Sequence, residues 1–277
     1  MRKLYKYMGA KTRHIDFLNT IIENSISKNY CEPFLGSAVV FLNLVKEFDK
    51  YYLNDLQKEN LLCFNKNLNR NFIEKTFYDC VKKYPQKNKE VYYKFRDELL
   101  NKTNNDELEK AVYIFRAYNE CINSMPRFNK LKFNQSYGNV KVLKEHLESY
   151  IKSVEYIKTK NVEISNKSFE CVLDKKDCLY FFDPPYIENQ MAINGGFDSN
   201  KLKTLIDFML NTEEEFIYTD TLNSVNECLL DKFNYSYLDK IKNISPNRKE
   251  EKTNREIIVW NFKVRDIFDI WYKLKYY

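Results

Sequence analysis

No G-x-G-x-x-G occurs in this sequence, and glycine is scarce throughout, with 5 in 277 residues. Without that loop nothing cradles a pyrophosphate, which argues against a dinucleotide cofactor. Histidine is nearly absent (His14 and His146), and the 7 Cys are scattered with no C-x-x-C pair. That combination argues against a zinc site, and no metal is expected. No apolar run approaches the roughly 20 residues needed to span a bilayer. The segment MRKLYKYMGAKTRH has a positive start but no apolar core after it, so it does not read as a secretory signal. An odd cysteine count without such a signal fits reduced thiols and a cytoplasmic location. The sequon Asn134-Gln135-Ser136 then carries no meaning. The bias toward Lys, Asn, Ile and Tyr reads as genome composition.

What is present is enough apolar surface for a core, with 44% hydrophobic and 16% aromatic residues, so global disorder is excluded. The net charge is +6, and its placement says more than its size. Between Lys110 and Lys160 there are ten Lys/Arg against four Glu, so this segment carries the whole excess. Two readings stay open on charge alone: a surface for a polyanion, or a solvated lysine-rich helical face.

Strand and helix periodicities alternate at both ends of the chain. His14 to Ser25 reads as an amphipathic helix with Ile15, Leu18, Ile22 and Ile26 on one side. Asn29 to Phe34 reads as a strand, Ser37 to Phe48 as a helix capped by Ser37 with Val40, Leu44 and Val45 buried, and Lys50 to Leu53 as a second strand. A strand–helix–strand unit of this kind predicts a parallel sheet. From Leu62 to Ile157 the chain is charged and mostly helical in period, broken by a polar stretch from Asn119 to Asn139. Alternation resumes near Asn161. Cys178 to Phe182 is a continuous apolar run, as a buried parallel strand should be. Ser199 to Leu210 (with Ser199 as the cap) and Val225 to Lys232 read as helices, and Glu215 to Thr219 as a strand. Phe233 to Ile244 and Glu256 to Val264 read as strands around a polar loop, Ser245 to Arg255. The simplest architecture is one α/β domain, residues 1–61 with 158–277, interrupted by a helical insert, residues 62–157.

The sharpest motif is Asp183-Pro184-Pro185-Tyr186, directly after the buried apolar run. Ligands in open α/β sheets bind beyond the carboxyl ends of strands. The exocyclic amine of a nucleobase is a poor nucleophile because its lone pair is delocalised into the ring. Two acceptors, one for each N–H, concentrate that lone pair on nitrogen. The Asp183 carboxylate and the Pro184 carbonyl can supply them, held in advance by two φ-restricted prolines. Tyr186 offers a face on which an extruded base can stack. Taken alone, the tetrapeptide also makes an ordinary turn, and it serves amine methylation on RNA bases as well as on DNA. A second motif is Glu32-Pro33-Phe34-Leu35-Gly36-Ser37, a turn tight enough for close ligand approach. Asp55, after the next strand, can accept from two ribose hydroxyls or simply cap a helix. A nucleoside without phosphates fits this pair better than a dinucleotide. Lys6-Tyr7-Met8-Gly9-Ala10-Lys11 puts an aromatic and a lysine around a glycine; by itself it reads as a basic loop.

In order along the chain, KYMGAK, EPFLGSAVVFLN, LND, the insert and FFDPPY resemble the Dam-like, alpha-group DNA adenine N6-methyltransferases. In that family a K-W/Y-x-G-G/N-K segment, an E/D-P/L-F-x-G segment, an acidic residue, a recognition insert and D-P-P-Y follow one another. VYYKFRDELLNK and NECINSMPRFNKLKFNQSYG are similar to the family's recognition domain. The resemblance implies a Rossmann-like α/β sheet with a helical target-recognition insert carrying a β-hairpin. It implies S-adenosylmethionine as methyl donor, double-stranded DNA as substrate and, in many cases, a companion restriction endonuclease linked genetically. Tyr7, Lys11, Glu32, Phe34, Asp55 and Asp183 match cofactor-pocket positions, and Asp183, Pro184 and Tyr186 the catalytic motif. Lys6, Asn123, Met125 and Arg127 match DNA-contacting positions, with Arg127 expected on a guanine edge or on a phosphate. The departures are Ala10 for a second Gly, Ser37-Ala38 in the turn, no Gly between Asn129 and Lys132, and Ser136 for a Pro. They touch the recognised sequence, for which GATC is the family expectation, rather than the chemistry. The intact Asp183–Tyr186 motif and Asp55 argue against a silent DNA-binding relative, and the insert argues against an RNA-base enzyme.

Overall fold

A computed structural model describes residues 1–7, 9–102, 106–129, 132–186, 197–238 and 256–265. Its centre is a seven-stranded sheet. In chain order the strands are β1 (Asn29–Glu32), β2 (Lys50–Asn54), β5 (Val162–Ser165), β6 (Cys178–Phe182), β7 (Glu215–Thr221), β8 (Asn234–Leu238) and β9 (Glu256–Trp260). Their spatial order is β5-β2-β1-β6-β7-β9-β8. The first five run parallel, β9 runs antiparallel to β7, and β8 antiparallel to β9. The chain therefore builds outward from β1 to β2 and β5, then returns to lay β6 on the other side of β1. The carboxyl ends of β1 and β6 flank this reversal, where open α/β sheets bind their ligands.

Every residue of β6 is buried, and its side chains alternate between two cores. Leu179 and Phe181 join the larger cluster, while Cys178, Tyr180 and Phe182 join the smaller one. Helix α7 (Ser199–Asn211) covers the smaller cluster through Leu202, Leu205, Ile206 and Met209. The larger cluster takes in α1 (Ile15–Ile22) and α2 (Val39–Leu42). It runs without a break into the inserted helices α3 (Arg70–Lys83), α4 (Lys89–Lys94), α5 (Glu107–Glu120) and α6 (Lys144–Lys158). Asn69, Asn88 and Asp106 cap α3, α4 and α5, each accepting a first-turn amide. Within the insert Arg116 is fully buried, bonded to the carbonyls of Cys80 and Tyr84 and paired with Glu120 at 3.1 Å.

Several elements depart from the sequence expectation. The helix expected from Ser37 to Phe48 is the short α2: the left-handed Ala38 (φ +56) delays its start to Val39, and Asn43 (φ −121) leaves the helical region and ends it after Leu42. Val45 is consequently exposed, although Leu44 is buried. Helix α1 stops at Ile22, which leaves Ile26 in solvent. The cap of α7 is Asp198, which accepts from the Lys201 amide, rather than Ser199. Residues 225–232 hold only a short 3-10 turn, Glu227–Leu229. The expected strand to Ile244 is described as far as Leu238, and the loop Ser245 to Arg255 lies outside the described residues.

After α5 the polar stretch forms the expected hairpin, β3 (Phe128–Asn129) with β4 (Lys132–Phe133). Asn101 clamps it from α4's extension, donating to the Phe133 carbonyl and accepting from its amide at 2.8 and 2.9 Å. The returning chain passes so close to the end of α5 that a Cβ at Gly138 would lie 2.6 Å from the Cys121 carbonyl oxygen.

Candidate active site

The N-terminal segment crosses the carboxyl edge of the sheet and delivers three of the candidate residues in turn. Lys6 is exposed, and its amide donates to the Asn119 side chain at 3.4 Å. Tyr7 lies over the turn after β1, its ring 3.5 Å from where a Cβ on Gly36 would stand. Gly36 has φ +50, so a side chain there would be both strained and pressed on the ring. Lys11 then turns inward, almost completely buried, and its ammonium lies 2.6 Å from Asp183 Oδ1. Burial alone would lower the lysine pKa, but the carboxylates of Asp183 and Glu256 outweigh it and hold Lys11 above its ordinary range.

Asp183 leaves β6 between Lys11 and Thr219. The Thr219 hydroxyl donates to Asp183 Oδ1 at 2.9 Å, so both close partners of the carboxylate meet the same oxygen. Burial pushes the carboxyl up from the usual range, while Lys11 and Thr219 pull it back. No described residue donates to Oδ2, so the carboxylate is anchored at one oxygen and open at the other. Pro184 is buried and Tyr186 half-buried. The Tyr186 hydroxyl donates to Glu256 Oε1 at 2.6 Å and accepts from Lys11 at 3.2 Å.

The second acidic pair lies beside the first. Asp55 accepts the amides of Gly36 and Gln57, each at 2.7 Å, one at each oxygen. A carboxylate has about four acceptor positions, so the two amides and the nearby Asn60 side chain fix Asp55 without filling it. Burial pushes its carboxyl up against these amides. Glu32 ends β1, is 2% exposed and accepts the Tyr30 hydroxyl at 2.8 Å. Burial lifts its carboxyl to about 8, opposed by Tyr30 and the Phe41 amide and reinforced by the nearby charges of Asp183 and Asp55. Phe34 packs in a three-ring cluster with Phe169 at 5.1 Å and Phe197 at 5.5 Å. Tyr7, Lys11, Glu32, Asp55, Asp183 and Tyr186 thus converge on one edge of the sheet, with Phe34 bordering them from its other face.

The recognition candidates form a separate group on the hairpin. Asn123 and Arg127 are exposed and Met125 half-buried. Their backbone is pinned: Gln135 donates to the Met125 carbonyl at 2.8 Å and the Asn134 amide to the Arg127 carbonyl at 2.9 Å. Asn123 has φ +54, a left-handed conformation that Asn tolerates better than most residues. Several cations of the basic segment are spoken for: Lys110 pairs with Glu59, Arg116 with Glu120 and Lys160 with Glu47. Arg127 and Lys132 have no ion-pair partner among the described residues.

Sequence reasoning missed three polar groups. Thr219 lies near the end of β7 beside Asp183, and its position toward a strand's carboxyl end was a usable signal. Glu256 arrives because β9 runs antiparallel, which no local pattern reveals. Asn60 is buried and accepts from the hydroxyls of Tyr5 and Tyr118 at 3.3 and 3.2 Å. Tyr5 also bonds the Gly36 carbonyl at 3.2 Å, and the Tyr118 ring stacks on Phe133 of the hairpin at 5.8 Å.

An acidic residue past the second strand, a tight turn past the first and a rigid acceptor motif past the fourth make this a Rossmann-like methyltransferase of amines. A family model described as D12 class N6 adenine-specific DNA methyltransferase matches residues 7–257, and the chain belongs to that family. It is 30% identical over 201 residues to the Type II methyltransferase M.MjaIII of Methanocaldococcus jannaschii, a match covering 67% of this chain and 69% of that protein. The chain is accordingly an adenine-specific DNA methyltransferase. Among the described residues no cluster of His, Cys, Asp and Glu is arranged to hold a metal ion, and no helix is long and apolar enough to cross a membrane.

Proposed function

We propose that the methyl donor is S-adenosylmethionine, that the acceptor is an adenine flipped out of duplex DNA, and that the residues gathered at the β1/β6 edge perform the transfer. The observation that carries this reading is the anchoring of Asp183 through Oδ1, with no donor to Oδ2 among the described residues. Its second oxygen accepts one N–H of the adenine amine and the Pro184 carbonyl accepts the other, which draws the lone pair onto N6. Tyr186 stacks on the extruded base. S-adenosylmethionine supplies an electrophilic methyl group carried on a sulfonium. The fit of this chain's residues to it rests on the acceptor capacity left at Asp55, the close approach at Gly36 and the lack of a G-x-G-x-x-G phosphate loop in the sequence. Tyr7, Lys11, Glu32 and Phe34 line that pocket.

Lys6, Asn123, Met125 and Arg127 contact the duplex, with Arg127 on a guanine edge. Residues 1–61 and 158–277 act as the catalytic unit and 62–157 as the recognition unit, sharing one hydrophobic cluster. A type II methyltransferase relative supports a restriction–modification setting; a companion endonuclease as genetic partner, a cytoplasmic location and a GATC-type target belong to the same proposal. Single-molecule sequencing of DNA from methylation-deficient cells expressing the protein tests the reading. The expected result is N6-methyladenine in one short fixed context; unmodified DNA together with labelled methyl groups in RNA would overturn it.

A further inference from the structure

Glu256 belongs to none of the motifs described above, yet it touches two of their residues. It opens β9, opposite Thr221 of β7, and so reaches the sheet edge where the parallel strands end. Its Oε1 accepts the Tyr186 hydroxyl at 2.6 Å and lies 3.3 Å from the Lys11 ammonium. Lys11 in turn is 2.6 Å from Asp183. Two carboxylates thus share one buried ammonium, and the far end of the stacking ring is tied to the second of them. We infer that Glu256 is a positioning residue, fixing the Tyr186 ring through its hydroxyl and balancing the Lys11 charge so that Asp183 remains a strong acceptor. The inference rests on the proposed roles of Asp183 and Tyr186.

The electrostatic argument has a definite sign. With Glu256 ionised, the Asp183–Lys11–Glu256 group carries a net negative charge, which favours the positive charge developing on N6. Without it, Lys11 neutralises Asp183 alone, and the carboxylate becomes both more acidic and a poorer acceptor. Among the described residues the titratable groups around Glu256 are Lys11 and His14 of the N-terminal segment, Asp183 and Tyr186 of the motif loop, and Asp220 of β7 near Tyr186. Burial would raise the Glu256 carboxyl, but Lys11, the Tyr186 hydroxyl and His14 hold it below its usual range, so it is ionised at neutral pH.

The experiment is steady-state methyl transfer from S-adenosylmethionine to unmodified plasmid DNA, from about pH 5 to pH 9. The proteins are wild type, E256Q, E256A and Asp183→Ala. E256Q keeps an acceptor for Tyr186 but loses the charge. Its kcat is expected to fall about tenfold, with both KM values within about twofold and the acid limb of the profile moved to lower pH. E256A should show the same displacement and a further fall in kcat, because the ring loses its tether. An E256Q enzyme with the kcat and acid limb of wild type overturns the inference. If E256Q does not fold, E256D decides: its retained charge should leave the acid limb in place, and a limb displaced downward overturns the inference. Activity in Asp183→Ala would instead sink the catalytic assignment itself, whatever Glu256 does.

Discussion

The sheet edge and the recognition hairpin handle their polar groups in opposite ways. At the edge the charged candidates are matched by the protein: Lys11 with Asp183 and Glu256, and Asp55 with two amides. On the hairpin the backbone is pinned while the side chains of Asn123 and Arg127 stand in solvent. Burial explains the difference. A partly desolvated carboxylate must be paired to remain ionised, and pairing also fixes the acceptor before the substrate arrives. An exposed arginine remains solvated until it meets nucleic acid, so its specificity is available to the ligand. On the proposed reading, the edge performs chemistry on one atom and the hairpin selects where that atom lies.

Breaking the edge should have the largest effect. Asp183→Ala removes the acceptor while leaving Lys11 paired with Glu256, so the fold should persist. Methyl incorporation should fall by about a thousandfold or more, as scored by labelled methyl transfer to plasmid DNA. On the hairpin, Arg127→Ala should relax discrimination at one base pair by roughly ten- to a hundredfold, equivalent to about 1–3 kcal/mol. Competition between cognate and single-mismatch duplexes checks this; a uniform affinity loss with a shallower salt dependence would mark a phosphate contact instead.

Gly138→Ala sharpens the contrast, because it forces a Cβ to within 2.6 Å of the Cys121 carbonyl. Overpacking of this kind costs about 1–3 kcal/mol. Affinity for DNA should fall while S-adenosylmethionine binding, followed by calorimetry, is unchanged. The smallest expected effect is on stability at the edge. Burial lifts the Glu32 carboxyl from 4.5 in the open chain to about 8. Between those values the unfolded chain has lost this proton and the folded one keeps it, so rising pH destabilises the native state. Glu32→Gln keeps the acceptor for Tyr30 and removes the titration. Its melting temperature should gain on wild type by a few degrees between about pH 5 and pH 8, read by calorimetry at each pH.

Much of the fold was legible because it is written in local apolar patterns. The run Cys178–Phe182 read as a buried strand, as it is, and the acceptor motif directly after it as lying beyond that strand's carboxyl end. The helical period of the insert was read from the pattern, whereas the hairpin was implied only by the family resemblance. The failures have physical causes. The helix after Ser37 starts late at a left-handed Ala38, a conformation that alanine gives no reason to expect, and ends early where Asn43 leaves the helical region. Thr219, Asn60 and Glu256 are ordinary polar residues in sequence, and only the strand order and the antiparallel turn of β9 bring them to the site. Asp55 was readable as a ligand or as a structural acceptor. The structure gives it the second role and keeps positions open for the first.

The claim on which the mechanism depends is that one oxygen of residue 183 is left open to receive an amine proton. Single-turnover methyl transfer by Asp183→Asn tests it most directly. If the amide oxygen stays with Lys11 and Thr219, an N–H₂ group faces the adenine amine, donor against donor; if the amide flips, its N–H₂ group faces the lysine. Either way the rate should fall by about a hundredfold or more while affinities for S-adenosylmethionine and DNA stay within about threefold. A single-turnover rate within about threefold of wild type would contradict the account.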